Sequence, residues 1–157
     1  MTELQRLTTD YVETEDRVRL RGALASGESV VIWLTRRLMD RLVRHLIGVL
    51  AQHGEELPAG PALPADAPVS QEPPVSAEHA EIQWVAQAVD VSVNPGAMQL
   101  SFRDAERLSR ITLDGRLLRQ WLDGLRDLYI LAEWPLTPWE GWGEQKHSAR
   151  QAPRFVH

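Results

Sequence analysis

The chain predicts an α+β protein built from one βββα unit used twice, and three observations lead there. Two stretches of strand-like alternation each run into an amphipathic helix, the chain matches itself in residue type at a nearly fixed offset, and a proline-rich stretch separates the copies. The architecture expected is a pseudo-two-fold compact domain of two antiparallel sheets, each followed by a helix. The expected divisions are 1–52 for the first unit, 53–80 for a linker, 81–133 for the second unit and 134–157 for a tail.

The first strand is read over residues 4–12, rich in Thr, Tyr, Leu and Val, and the acidic cluster Glu13-Thr14-Glu15-Asp16 makes its turn. Arg17-Val18-Arg19-Leu20-Arg21 then alternates polar and apolar, the period of a half-buried strand. Ala25-Ser26-Gly27-Glu28 supplies a second turn, with a glycine free to take a positive φ. Residues 29–34 form a β-branched and aromatic third strand, and Thr35 is placed to cap the helix that follows. That helix carries Leu38, Leu42 and Leu46 on one side, joined by Met39, Val43, Ile47 and Leu50, with Arg36, Arg37, Arg41 and Arg44 opposite; Gly54 is its stop.

Pro58, Pro61, Pro64, Pro68, Pro73 and Pro74 follow among Ala, Glu and Ser, a composition that breaks backbone hydrogen-bond ladders and reads as a semi-extended linker. The order then repeats. Residues 84–93 are strand-like, Asn94-Pro95-Gly96 is a turn, Met98 to Phe102 alternates, and residues 108–113 form a third strand. Asp114 caps a helix with the stripe Leu117, Leu118, Trp121, Leu122, Leu125 and Leu128, which ends before Pro135. At an offset of 80, Leu4 meets Trp84, Asp10 meets Asp90 and Leu20 meets Leu100; at 79, Ile32 meets Ile111, Leu34 meets Leu113 and Leu46 meets Leu125. A unit of roughly 45 residues is too small to hold its own core without a metal or disulfide, so each helix stripe is expected to bury against the other unit.

Composition narrows the chemistry. With 43% hydrophobic and 25% charged residues the chain has a globular balance, and with no cysteine it has no thiol chemistry, disulfide or cysteine-ligated metal. No apolar run reaches the roughly 18 residues of a membrane span. The N-terminus lacks a secretory pattern, so a cytoplasmic protein that does not engage a membrane is expected. His45 and His53 are eight apart and His79, His147 and His157 are isolated, so no metal site and no cofactor are expected.

Three candidate sites remain. Arg17, Arg19 and Arg21 leave one face of the second strand together, with Trp33 on the same side of the third. Charge for phosphate beside a ring for stacking suits single-stranded nucleic acid. The net charge of −5 argues against that partner, and the structural alternative is a face where these arginines pair with Glu3, Asp10 or Glu13. The second candidate is the tail, where Trp134, Trp139 and Trp142 fall within nine residues broken by prolines and glycine. Exposed tryptophan is a common binding anchor, and the alternative is that the segment folds back over its own body. The third is Asp10 with Asp90, whose matching places would let an acidic dyad form at the pseudo-two-fold axis.

A duplicated sheet-plus-helix unit also resembles, in outline, the single-strand-binding Whirly and PUR families. Those have four strands per repeat against three here, and none of their motifs occurs in these residues. The leading expectation is a non-enzymatic protein–protein interaction module, an adaptor or accessory subunit. It would bind another protein, or itself as a homodimer, through Trp134, Trp139 and Trp142 and the arginine face. A single-stranded nucleic-acid-binding protein is the alternative, and a small enzyme using Asp10 and Asp90 is the third reading.

Overall fold

In a computed structural model of the chain, the described residues are 1–59, Val75 and 82–142. The strands are β1 (Thr2–Val12), β2 (Arg17–Leu24), β3 (Ser29–Leu34), β4 (Ile82–Val85), β5 (Ala88–Asn94), β6 (Ala97–Arg103) and β7 (Leu108–Asp114). The helices are α1 (Arg36–His53) and α2 (Gly115–Ala132), and a 3-10 turn covers Thr137–Trp139. The protein is α+β, as expected, but the two-sheet expectation is corrected. All seven strands form one mixed sheet in the order β4-β3-β2-β1-β7-β6-β5.

One sheet forms because each half begins its first strand on the other half's last one. Thr2 and Glu3 of β1 run parallel to Ser109 and Arg110 of β7. After an irregularity between Leu4 and Arg6, β1 continues antiparallel to β2. In the second half β4 runs parallel to β3, from Val30 beside Ile82 to Trp33 beside Val85, and β5 then pairs antiparallel with β6. The residue pairs correspond at the offsets of the self-match: Thr2 plus 80 is Ile82, and Val30 plus 79 is Ser109.

The segment read from sequence as one strand over 84–93 is therefore broken. Ala86 N–H donates to the Trp33 carbonyl at 3.0 Å, and the next residue, Gln87, donates to the Arg103 carbonyl at 2.8 Å. Consecutive residues thus bond to β3 and to β6, which lie near opposite ends of the strand order, so the sheet curls until the chain itself joins its edges.

The local chemistry of the helices follows the sequence closely. Thr35 accepts from Leu38 N–H at 3.3 Å and Asp114 from Leu117 N–H at 2.8 Å, each satisfying a first-turn donor. Helix α1 buries Met39, Leu42, Val43, Leu46, Ile47 and Leu50, while α2 buries Leu118, Trp121, Leu122, Leu125 and Tyr129. Leu117, counted in the sequence stripe, is 39% exposed instead. Helix α2 packs on β1 as well as β7 and β6, and α1 reaches β5, so each helix touches the other half's first full strand. Val18, Leu20, Ile32 and Leu34 join Met98, Leu100, Phe102, Ile111 and Leu113 in one apolar cluster with both helices. Among the described residues no helix is long and apolar enough to cross a membrane.

The chain leaving α1 is held against the start of α2. Gly96 N–H donates to the Glu56 carbonyl at 3.0 Å, and the buried Arg119 guanidinium donates to the carbonyls of Leu57 and Gly115. A Cβ on Gly115 would lie 2.3 Å from the carbonyl oxygens of both Leu57 and Pro58, so this close approach requires glycine. Gly48, in α1, has open space where its Cβ would go. Gly115→Ala is expected to destabilise the fold by roughly 1–3 kcal/mol through overpacking. Gly48→Ala is expected to stabilise it by roughly 0.5–1 kcal/mol by relieving a helix-interior glycine. Urea unfolding of the two variants checks this, and effects of the same sign would contradict it.

Candidate functional site

The tryptophans of the tail lie inside the protein. Trp134, Trp139 and Trp142 are 6%, 5% and 3% exposed. Trp134 meets Tyr11 and Tyr129 edge-on at ring-centroid distances of 5.6 and 5.1 Å, and Trp139 meets Tyr129 in the same way at 5.4 Å. Pro138 and Trp139, in the 3-10 turn that the sequence reading took for irregular chain, are buried, and this turn packs on α1. Trp142 Nε1 donates to Asp123 at 3.1 Å, whereas Trp139 Nε1 is buried with no hydrogen-bond partner among the described residues. The folded-back alternative describes the placement of these residues. The indoles of this segment would otherwise expose a large apolar patch. Residues 143–157, expected to be a polar frayed end, lie outside the described residues.

The aromatic cover is anchored at Asp16, a residue the sequence reading treated only as part of a turn. Its backbone takes φ 50°, which turns the carboxylate back toward the cluster. Asp16 Oδ1 accepts from Tyr11 Oη at 2.6 Å and from Trp134 Nε1 at 3.0 Å. The hydrogen bond from Tyr11, then that from Trp134, lowers the carboxyl pKa from its ordinary 3.8, while the bond to Asp16 pushes the Tyr11 phenol up to about 12.

The arginine row of β2 does project from one face, opposite Val18 and Leu20, but its members differ. Register places Asp10 beside Arg19 and Arg19 beside Trp33. Asp10 accepts from Arg19 Nε at 3.1 Å and Nη2 at 2.5 Å, and lies 3.7 Å from Arg21 Nε. The cross-strand pairing alternative therefore holds for Arg19 and Arg21. One row along, Thr8, Arg21 and Val31 lie side by side, and Val75 of the proline-rich stretch donates its N–H to Thr8 Oγ1 at 3.0 Å. Val31 and Val75 are both buried, so part of this face is covered. Trp33 is half-buried, at the uncovered end beside Val85. Arg17 stands where the pairing of Val18 with Leu34 brings the start of β2 to the start of α1.

The basic surface continues there. Arg36, Arg37, Asp40, Arg41 and Arg44 line an open depression on the outer face of α1. Asp40 accepts from Tyr129 Oη at 2.7 Å and lies 3.9 Å from Arg36 Nε. Burial, then this hydrogen bond to Asp40, raises the Tyr129 pKa. Arg37, Arg41 and Arg44 are exposed and, among the described residues, form no ion pair. The sequence reading identified this face and assigned it to solvent. What it did not join up is that residues 17–44 hold seven arginines against two carboxylates, Glu28 and Asp40, in a chain of formal charge −5.

Asp10 and Asp90 are not brought together. They stand on β1 and β5, three places apart in the sheet order. Asp10 pairs with Arg19, and Asp90 Oδ2 accepts from Arg103 Nε at 2.7 Å. Arg110, across the sheet, is tied to Glu3 at 2.5 Å. Among the described residues no group of three His, Asp or Glu side chains could hold a metal ion. Comparison of the chain with protein-family models, curated proteins and solved structures finds no match.

The Asp16 node has a pH window. The carboxylate's share is present above its ordinary 3.8 and is lost as pH falls through its lowered value; the phenol's share is present below 10 and is lost as pH rises through about 12. The chain has two tyrosines, and both are shifted upward. Absorbance at a tyrosinate wavelength is therefore expected to stay flat in the native protein at pH 10.5. Asp16→Asn is expected to bring one tyrosine back toward 10. Native titration of both tyrosines near 10 would contradict the geometry.

Proposed function

We propose that this protein is a non-enzymatic binding module whose working surface is the basic face of α1, and that its partner is a protein with an acidic surface. The observation that carries the reading is the set of three exposed guanidiniums at Arg37, Arg41 and Arg44, which form no ion pair among the described residues of a protein of net negative charge. Electrostatics at home do not account for them. The first turn of α1 contains no acidic residue, and Arg36 and Arg37 stand at the positive end of the helix dipole. Each costs about 0.3–1 kcal/mol there, which an anionic partner would offset. Asp40, the one carboxylate in the depression, is already engaged by Tyr129 and Arg36.

In this reading the tryptophan tail is structural, and it supports the surface from below. The 3-10 turn packs on α1, so the aromatic cluster fixes the helix that presents the arginines. The reading also takes the chain to be an internal duplication of a βββα unit. Its support is the agreement between the self-match offsets and the two parallel pairings. Only the first copy carries the basic face: at the offset of 79, Gly115, Arg116, Gln120 and Asp123 stand where Arg36, Arg37, Arg41 and Arg44 would repeat.

Trp33 favours a second reading, in which the partner is single-stranded nucleic acid. A half-buried indole beside Arg19, with Arg17 leading to the α1 face, combines a stacking surface with a path for phosphates. The two readings separate in one set of titrations, following fluorescence anisotropy of a labelled glutamate-rich peptide and a labelled oligothymidine.

For the protein-partner reading the peptide is expected to bind. Arg37→Glu, Arg41→Glu and Arg44→Glu together should weaken it by about tenfold or more, and Trp33→Ala should change nothing. For the nucleic-acid reading the oligonucleotide is expected to bind with a steep salt dependence and to weaken on Trp33→Ala. Indifference of both probes to the triple charge reversal would reject the α1 face.

A further inference from the structure

The charges lining the depression on α1 differ in how firmly they are held. Arg37, Arg41 and Arg44 are exposed and form no ion pair among the described residues, so their long side chains can follow what approaches them. Asp40 is the fixed member. Its Oδ1 accepts from the hydroxyl of Tyr129 at 2.7 Å, and that tyrosine is fully buried near the end of α2.

Asp40 also stands at the centre of the group. Arg36 and Arg37 lie four and three residues before it and Arg44 four residues after, which makes all three its neighbours on the helix surface. Its side chain is 22% exposed, so a ligand entering the depression meets it. Among the described residues no hydrogen bond reaches Oδ2, which lies 3.9 Å from Arg36 Nε. One carboxylate oxygen is thus tied to the interior, and the other has acceptor capacity left.

Three kinds of ligand group can arrive at that oxygen. A carboxylate or phosphate is repelled by Asp40, however well its neighbours are paired. An ammonium or guanidinium is placed among four arginines. A neutral hydroxyl meets neither penalty and supplies the hydrogen that Oδ2 can accept.

We propose that Asp40 is the specificity-determining residue of the α1 face, and that it selects a run of carboxylates interrupted by one serine or threonine. The carboxylates on either side pair with Arg37, Arg41 and Arg44, and the hydroxyl donates to Asp40 Oδ2. One built-in repulsion of this kind discriminates against partners of unbroken charge, a plain glutamate run and single-stranded nucleic acid among them. The inference rests on the reading of the α1 face as the binding surface. It narrows the partner from any acidic surface to one pattern of side chains.

The test uses the full chain and three labelled peptides of equal length: an all-glutamate run, and the same run with its central residue replaced by serine or by alanine. Fluorescence anisotropy at one ionic strength ranks them on the unaltered protein. It then ranks them on Asp40→Asn, which keeps an oxygen for the Tyr129 hydroxyl and removes the charge. The serine peptide is expected to bind the unaltered protein about threefold or more tighter than either of the others, although the all-glutamate peptide carries more charge. On Asp40→Asn the order is expected to turn over, with the all-glutamate peptide the tightest. The ranking on the unaltered protein decides without any variant. If it follows peptide charge, or if alanine serves as well as serine, this inference is overturned and the proposed function stands. Binding of none of the three peptides overturns both.

Discussion

The two short parallel pairings, β1 on β7 and β4 on β3, are what the rest of the structure hangs on. Each joins one half's opening residues to the other half's last strand, and without them there are two open three-stranded pieces. With them the sheet runs unbroken through seven strands and its ends meet at Ala86 and Gln87. The pairing of Thr2 with Ser109 closes most of the chain into one loop, an entropic cost that only later packing offsets. Neither half is therefore positioned to form first and wait for the other. The helices follow the same rule, since α2 takes its floor from β1 and α1 reaches β5.

Closing the sheet leaves the aromatic segment after α2 with one place to go. Tyr129 is fully buried near the end of α2, its hydroxyl donates to Asp40 of α1, and its ring meets Trp134 and Trp139 in edge-to-face contacts. Trp134 then reaches Asp16 in the β1–β2 turn. A single run of contacts thus joins both helices to the first hairpin. The chemistry of the tail is that of buried rings with polar edges, each edge finding an oxygen where it can. Trp139, whose nitrogen finds none among the described residues, is the exception, and its edge-to-face contact with Tyr129 works against that loss.

What could be read from sequence was whatever depended on neighbours in the chain. β3 spans residues 29–34 as its β-branched run implies, and Thr35 and Asp114 cap their helices because capping is decided within three residues. The single sheet was not legible in the same way, because it rests on pairings between residues far apart in the chain, Thr2 with Ser109 and Val30 with Ile82. One signal did exist. The inward positions run Trp84 and Ala86, then Val89, Val91 and Val93, so the alternation slips by one residue where β4 ends. β1 slips likewise between Leu4 and Leu7, at its irregularity. A slip of this kind exchanges the faces of a strand, and it marks the point where each strand leaves one partner for another. The sites divide along the same line. The tail's tryptophans looked exposed because composition says nothing about what a segment folds against, and Asp16 was invisible because its partners lie at positions 11 and 134.

The arginines illustrate how the fold decides which charges remain available. Seven lie between residues 17 and 44, and on the sheet two of them, Arg19 and Arg21, share the carboxylate of Asp10 on the adjoining strand. Arg19 is hydrogen-bonded to it, and a ligand would have to compete with Asp10 there. On α1 the opposite holds. Asp40, the carboxylate in the depression, accepts from the buried Tyr129 phenol and lies 3.9 Å from Arg36, so it is shared between the aromatic cluster and one arginine of the outer face. At physiological ionic strength charges are screened beyond about 8 Å. The acidic turn at the start of β2 lies near the start of α1, and Arg36 is close enough to help lower the Asp16 pKa. Net charge averages over these two situations and hides the difference. The local arrangement leaves an acidic protein with three exposed arginines on α1 that form no ion pair among the described residues.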